Sequence, residues 1–313
     1  MFAYVARRLF ATIVVMAVVA FVVFLLLYLT PGDPAAILAG DAATNEDIRR
    51  IREKLGLDEP FLSRFGNWVW RLLHGDLGVS IFTNLPVTQL IGQRIEPTLS
   101  LTVCTLIIAV LVAVPLGVVA AARAGSWIDR AVMAFSVAGF SVPVFVLAYI
   151  LILVFSIELE WLPVQGYTPI REGLWAWARH LILPSAALST VYIALIARIT
   201  RASMLDVLAQ DYVRTAQAKG LAPGAVLLRH ALKNAAVPIA TVVGIGIALL
   251  IGGAIVTETV FALPGIGRLT VDAILRRDYP IIQGVVLLFS AAYVLINLAV
   301  DLSYMFFDPR IRY

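Results

Sequence analysis

The residues that could perform chemistry in this chain are few and lie far apart. Its 313 residues include three histidines and one cysteine, and none of these stands at metal-ligand spacing from another histidine, cysteine or carboxylate. The sequence contains no HExxH pair, no GxxxxGK[ST] phosphate loop and no serine in a glycine-flanked nucleophile motif. These patterns argue against a metalloenzyme, an intramembrane protease and a P-loop ATPase. We therefore predict no catalytic residue, no metal site and no cofactor on this chain.

The composition indicates that lipid is the solvent for most of the chain. Hydrophobic residues make up 61% and charged residues 14%, and the mean hydropathy is +0.93. A soluble fold could not hide so much apolar surface. The net charge of +4 does not indicate nucleic-acid binding, because the basic residues border apolar runs instead of forming a stripe with interleaved aromatics.

Six apolar runs are long enough to cross a bilayer, which requires about 20 residues. The first follows a short basic stretch with Arg7 and Arg8. It exceeds the usual apolar core of a signal peptide, so we interpret it as an uncleaved first span. The sequence thus predicts an all-α integral membrane protein with six transmembrane helices. The predicted spans are residues 9–29, 99–122, 131–157, 181–199, 235–256 and 281–307.

Residues 30–97 separate the first two spans and are predicted to form a helical insertion. Pro60 opens a helix there that Gly75 ends. Its predicted apolar face consists of Phe61, Phe65, Trp68, Val69, Leu72 and Leu73. We predict three parts for the chain: residues 1–29 with the first span, the insertion 30–97, and a five-helix membrane domain 98–313.

The distribution of basic residues predicts the orientation in the membrane. Six spans place both termini and the loop between the fourth and fifth spans on one side, which carries twelve Lys or Arg, against five in the short loops of the other side. The insertion is long enough to translocate largely regardless of its charge. The positive-inside rule therefore places both termini and the central loop in the cytoplasm and the insertion outside.

The central loop is a polar stretch in an otherwise apolar chain. Six Lys or Arg and two Asp lie within residues 198–234, and we call residues 200–234 the polar segment. Its helical spacing predicts one helix with an apolar stripe, ended by Gly220 in the left-handed conformation. A turn and a second short helix should follow. The stripe comprises Leu205, Leu208, Ala209, Tyr212, Val213 and Ala216, and the second helix should turn Leu227, Leu228, Ala231 and Leu232 inward.

This segment resembles the EAA loop in the permease subunits of bacterial ABC importers. The general pattern is Glu-Ala-Ala, three residues and Gly; here those positions hold Arg214, Thr215, Ala216 and Gly220, so two of four match. The longer run Asp-Tyr-Val-Arg-Thr-Ala-Gln-Ala-Lys-Gly-Leu over residues 211–221 resembles the dipeptide and oligopeptide branch almost throughout. The runs Pro31-Gly32-Asp33-Pro34 and His74-Gly75-Asp76-Leu77-Gly78 also resemble that branch.

The resemblance implies that the polar segment is a coupling helix that docks on an ATPase subunit. It further implies a homologous second permease, two ABC ATPase subunits that bind ATP and Mg, and an extracytoplasmic solute-binding protein. In the family, the insertion is an outward-facing cap beside the mouth of the path; a packed insertion without ligand contact is the alternative. The implied coupling residues are Asp211, Tyr212, Arg214, Thr215, Ala216, Ala218, Lys219, Gly220 and Leu221.

Several polar groups within or beside the predicted spans are candidates for the transport path. Asn297 and Asp301 lie in the last span, where an ionisable residue is a functional candidate; a place at the membrane interface is the alternative. Pro264 and Gly265 form either a gate or a tight outer turn. Candidate path-lining residues, for which interhelical hydrogen bonding is the alternative, are Ser136, Ser141, Thr190, Tyr192 and Thr241.

The sequence leaves three hypotheses about function. The first is the permease of a peptide importer in the inner membrane. A permease for nickel chelates or glutathione is the alternative within this class, because such permeases share the same sequence motifs. The second is a stand-alone channel or secondary transporter, which would be expected to show inverted repeats or several midplane charges. The third is a membrane enzyme, which would need the motifs found missing above.

Overall fold

The computed structural model describes residues 2–29, 35–36, 44–54 and 58–307, and within them the chain is all-helical, with one isolated β-bridge between Val79 and Pro86. The predicted Pro31-Gly32-Asp33-Pro34 resemblance lies outside the described residues. The principal helices are α1 (Phe2–Leu29), α2 (Asn45–Lys54), α3 (Phe61–Leu73), α4 (Val87–Gly92), α5 (Ile95–Ala122), α6 (Trp127–Ser141), α7 (Val144–Ile152), α8 (Leu174–Leu208), α9 (Asp211–Ala218), α10 (Leu232–Val260), α11 (Ile266–Arg276) and α12 (Tyr279–Phe307).

Four helical stretches among the described residues are long and apolar enough to cross a membrane: Val87–Ala122, Leu174–Leu208, Pro223–Leu250 and Tyr279–Asp301. A fifth candidate is the bent pair Trp127–Ser141 and Val144–Glu158. Helix α1 contributes the shorter apolar stretch Phe10–Leu26. The all-helical membrane class is therefore confirmed, and the count of six spans stays a prediction.

The third predicted span is not one helix, and the prediction of a continuous run over residues 131–157 is wrong. Helices α6 and α7 meet at an angle of 97°, with Val142 at ψ 121° and Pro143 at φ −59° and ψ 135°. The ring of a proline disfavours the helical conformation of the residue before it. The chain therefore leaves the helix at Val142 and starts a new one after Pro143. A π-helical turn, Leu153–Glu158, continues α7.

The chain forms two compact units. One of them contains Phe2–Ile95 and Leu269–Val294, and its core is aromatic. Phe24 of α1 lies 5.4 Å from Phe65 and 5.3 Å from Trp68 of α3 between ring centroids, and Leu287 of α12 joins this cluster. The predicted apolar face of α3 is confirmed except at Leu73, which is 75% exposed. In the same unit the buried Asp278 carboxylate accepts a hydrogen bond of 2.6 Å from Ser80 Oγ.

The other unit contains Glu96–Arg268 and the chain from Leu295 onward, and α8 is its central helix. Helices α5, α6, α7 and α10 pack around it. Small side chains allow this: Ala187, Ala194 and Ala197 of α8 are buried, and a Cβ on Gly117 of α5 would lie 2.6 Å from Thr200 Cβ. Close helix approach through small residues is a common way to pack membrane helices, because it gains dispersion contacts without a hydrophobic driving force.

Candidate functional site

The polar segment contains a break in the helix, so the predicted single helix with one apolar stripe is wrong. Helix α8 ends at Leu208, Gln210 is extended with ψ 148°, and α9 starts at Asp211. The acidic Asp211 stands in the first turn of α9, where a negative charge stabilises the helix end. Gly220 has φ +76°, the left-handed conformation predicted for it, which glycine adopts without a steric penalty.

A small apolar core holds α9 against the chain that follows it. Val213 and Ala216 of α9 are buried with Val226, and Val207 and Leu208 pack against them. The second short helix predicted for this segment is wrong in its extent, because the turn Pro223–Ala225 runs through a π-helical stretch, Val226–Ala231, directly into α10. Leu228, predicted to point inward, is 63% exposed.

The side chains on the opposite side of α9 form an exposed surface. Tyr212 is 43% exposed and Leu221 is 41% exposed. The Arg214 guanidinium lies 3.6 Å from the Asp211 carboxylate, and both side chains are largely in solvent, so this pair adds little stability. We call this surface the coupling face; its residues are Asp211, Tyr212, Arg214, Thr215, Ala218, Lys219, Gly220 and Leu221. Ala216, also predicted to contact a partner, packs inward instead.

The predicted path residues differ in their distance from the break between α6 and α7, although Ser141 and Thr190, like Ser136 and Thr241, donate their hydroxyls to carbonyl groups of their own helix. Ser136 is buried and donates its hydroxyl to Val132 O at 2.9 Å within its own helix. Tyr192 is 6% exposed, and a Cβ on Gly246 of α10 would lie 3.4 Å from its ring, so this tyrosine packs between helices. Thr241 is half-buried and donates to Val237 O at 2.8 Å. The structure thus gives Ser136, Tyr192 and Thr241 intrahelical or packing contacts.

The other two path candidates lie near the break between α6 and α7. Ser141 is the last residue of α6 and is exposed, and Thr190 of α8 is half-buried. An apolar cavity of about 170 Å³ opens beside the break. It is lined by Phe135, Ala138, Gly139, Val142, Val144, Leu147, Ala187, Thr190 and Val191. We call this the bend cavity.

Gly265 packs against the buried carboxylate of Glu258, for which the sequence predicted no role. Glu258, at the end of α10, accepts hydrogen bonds from Thr98 Oγ1 at 2.6 Å and from Arg268 N at 3.0 Å. Ile266 N donates to the same Thr98 hydroxyl at 2.8 Å. A Cβ on Gly265 would overlap the Glu258 carboxylate. The available sequence signal was an acid at the end of an apolar helix, followed by Pro-Gly-Ile-Gly.

Asn297 and Asp301, the two polar residues singled out in the last span, are half-buried in α12. Beside Asp301, Val300 packs on Gly244 of α10, where a Cβ would lie 3.2 Å from Val300 Cβ. This contact fixes the spacing of α10 and α12.

A second buried carboxylate was also missed. The side chain of Asp129 of α6 is 6% exposed. Arg201 of α8 donates two hydrogen bonds to its carboxylate, from Nε at 2.5 Å and from Nη2 at 2.7 Å. Gly125 N donates to the same carboxylate at 2.9 Å. The pair joins the start of α6 to α8 seven residues before α8 ends at Leu208. No sequence signal linked these two residues, which are 72 positions apart.

Two family models cover nearly the whole chain. Residues 113–313 match the binding-protein-dependent transport system inner membrane component, and residues 1–102 match the N-terminal region of the same membrane component. The chain belongs to this family. As a member of it, the protein is a transmembrane permease component of an ABC transport system.

Curated relatives of this permease match over almost their full length. A probable peptide ABC transporter permease of Sinorhizobium fredii is 59% identical over 310 residues, with 99% of each chain covered. A putative peptide transport system permease of Brucella abortus is 46% identical over the whole of both chains. The glutathione transport system permease GsiC of Escherichia coli O6:H1 is 44% identical, with 99% of each chain covered.

Solved structures support the permease fold. The inward-facing MetNI methionine ABC transporter, in its native crystal form, matches with a TM-score of 0.59 at 19% identity. The match covers 71% of this chain and 97% of that one. At this identity the likeness concerns the fold alone.

Proposed function

We propose that this permease forms one half of the membrane channel of an ATP-driven importer that carries dipeptides or oligopeptides across the inner membrane. The observation that carries the proposal is the coupling face, an exposed polar surface on a short helix held against membrane helices by its own apolar core. The peptide permease names of the relatives in Sinorhizobium and Brucella, which match end to end, support a peptide as the substrate.

The connections of α9 explain how it could transmit force. Before it, α8 runs unbroken from Leu174 to Leu208. After it, helical structure is continuous from Pro223 to Val260. A displacement of α9 by a partner would therefore act on two long helices at once. ATP-driven approach of two ATPase subunits could switch the permease between inward-open and outward-open states, because the partner would bind the two states differently.

The proposal includes the partners and the topology. A homologous second permease completes the path, two ABC ATPase subunits carry ATP and Mg, and a solute-binding protein delivers the substrate from outside. Six spans put both termini in the cytoplasm, with residues 30–97 outside and residues 98–313 forming the five-helix membrane domain. Thr190, which lines the bend cavity, Ser141 at the end of α6, and Pro264 with Gly265 as a gate are the proposed path residues. Asn297 and Asp301 are proposed to hold the last span in place.

Glutathione is a second candidate substrate, because the Escherichia coli glutathione permease is 44% identical over almost the entire chain. Glutathione is itself a modified tripeptide, so both candidates present a backbone amide and free carboxylates to the path. Selectivity between them would reside largely in the solute-binding protein.

Co-purification and transport together test this function. The tagged chain is extracted in mild detergent, its partners are identified by mass spectrometry, and the complex is reconstituted with its binding protein for uptake of labelled dipeptide and glutathione. Recovery of ATPase subunits together with ATP-dependent uptake is the expected result. A complex without an ATPase, also after crosslinking in intact membranes, would refute the proposal in favour of a channel.

A further inference from the structure

Arg198 of α8 differs from the other cation near it. Arg201, one turn further on, is occupied by the Asp129 carboxylate. Arg198 is exposed, and its guanidinium lies 5.6 Å from the centroid of the Phe140 ring at the end of α6. Within the described residues no carboxylate pairs with it. A guanidinium has five N–H donors in a planar arrangement that matches a carboxylate, so Arg198 is available to bind an anion.

The bend cavity lies on the same face of α8 as Arg198. Ala187, Val191, Ala194 and Arg198 follow the helical spacing of three and four residues that aligns side chains along one face. Gly139 connects the two features, because it lines the cavity and a Cβ on it would lie 3.3 Å from Ala194 Cβ. The apolar cavity and the unpaired cation therefore lie along one face of α8, with Ala194 between them.

Neither feature suits contact with lipid tails. Arg198, which the sequence counted with the cytoplasmic loop, lies inside α8, which continues to Leu208, and a charged side chain facing the hydrocarbon is costly. Non-helical backbone at membrane depth is tolerated only where protein covers it or where it lines a watery cavity. Val142, at the break between α6 and α7, is 40% exposed. Both observations favour an aqueous path on this side of the chain.

We propose that Arg198 and the bend cavity form a subsite for the imported peptide, in which Arg198 binds the C-terminal carboxylate and the cavity takes the adjacent apolar side chain. The cavity volume of about 170 Å³ is comparable with engineered cavities of about 150 Å³ that hold a benzene molecule, so one apolar side chain fits. This inference rests on the proposed peptide transport, and it goes further by assigning one end of the substrate to named residues.

Cysteine accessibility in the assembled transporter tests the subsite. Val142→Cys in a Cys104→Ser background is treated with a neutral, membrane-impermeant maleimide in vesicles of neutral lipid. Alanyl-alanine should slow the labelling, whereas its C-terminal amide should not. With Arg198→Gln added, protection should require a roughly tenfold higher peptide concentration, since one charge-assisted contact is lost. Arg198→Lys should retain part of the protection.

Matched positions control for general effects. Leu111→Cys, exposed on α5, should not react if it faces lipid or another subunit. Arg123→Gln removes an exposed arginine outside the cavity and should leave the protection unchanged. Val191→Cys, which also lines the cavity, replaces Val142→Cys if that variant does not assemble.

Each of the following outcomes would contradict the proposed subsite. Absence of labelling at Val142→Cys and Val191→Cys would mean that lipid or the second permease covers the cavity. Equal protection by acid and amide, or protection unaffected by Arg198→Gln, would remove the role of the arginine. Slower labelling with anionic lipid alone would assign Arg198 to a headgroup phosphate. ATP-dependent peptide uptake by the unmodified complex separates these failures from failure of the proposed function, which would abolish uptake itself.

Discussion

Two buried carboxylates stabilise the central unit in different ways. Asp129 is paired with a cation, Arg201, and joins α6 to α8 near the end that leads into the polar segment. Glu258 accepts from a hydroxyl and a backbone N–H, and joins the start of α5 to the turn after α10. The contrast shows that an ion pair and hydrogen bonds from a hydroxyl and a backbone N–H can each help to satisfy a buried acid.

The two sites also differ in what surrounds the acid. The Asp129 carboxylate receives its donors from side and main chain at a helix start, where Ser126 caps α6. The Glu258 carboxylate is enclosed by backbone: a Cβ on Gly267 would lie 2.7 Å from Ile255 Cα and 2.9 Å from Glu258 Oε2. At the first site the Arg201 side chain reaches the carboxylate of Asp129. At the second site Gly265 and Gly267 have no side chain, which leaves room for the carboxylate of Glu258.

The largest expected effect comes from breaking the ion pair. Arg201→Gln leaves the buried Asp129 carboxylate without its cation, which should cost about 2 kcal/mol because an uncompensated buried charge remains. Thermal unfolding of the purified complex should show a clearly lowered midpoint. Arg130→Gln, which neutralises an exposed neighbour, is the control. If both variants melt like the wild type, the pair has no structural role.

A smaller effect is expected at the second site. Thr98→Val keeps the side-chain shape but removes the hydroxyl that bridges Glu258 and Ile266, at a cost of about 1 kcal/mol. Thr98→Ser keeps the hydroxyl and should melt close to the wild type. Equal midpoints for the valine and serine variants would show that the hydroxyl bridge is dispensable. Gly265→Ala, which forces a Cβ into the carboxylate, should destabilise the turn as well.

Short sequence patterns predicted features that depend on neighbouring residues, but they did not predict contacts between residues far apart in the chain. Four of the six predicted spans overlap described helices long and apolar enough to cross a membrane. Gly220 was predicted because a left-handed helix end depends on one residue. Asp129 with Arg201, and Thr98 with Glu258, are 72 and 160 positions apart, and no periodicity links such residues. Their pairing follows only from how the helices pack.

Helical faces were predicted less well, for a physical reason. Leu73 and Leu228 were expected inside and are exposed. Leu73 is the last residue of α3. Leu228 lies in the π-helical stretch Val226–Ala231, whose i→i+5 bonding differs from the 3.6-residue period assumed for the predicted face. The bend after α6 was also missed, although Pro143 marked it. Pro115 lies inside α5 and leaves that helix unbroken. The presence of a proline therefore does not by itself predict where a helix breaks.

The smallest change in stability is expected at the coupling face, with the largest change in coupling. Arg214→Glu replaces a side chain that is 73% exposed, so the complex should assemble and melt like the wild type. If the coupling face docks on an ATPase subunit, the reversed charge should lower the number of peptides imported per ATP hydrolysed. The measurement is uptake and hydrolysis in the same proteoliposomes.

Gly220 offers a paired test of the same surface. Gly220→Asn should preserve coupling, because asparagine tolerates positive φ. Gly220→Pro should reduce it, because proline is fixed near φ −65° and cannot donate the Gly220 N–H to Gln217 O, a hydrogen bond of 2.9 Å. Unchanged import per ATP in both Arg214→Glu and Gly220→Pro would move the contact with the ATPase away from α9.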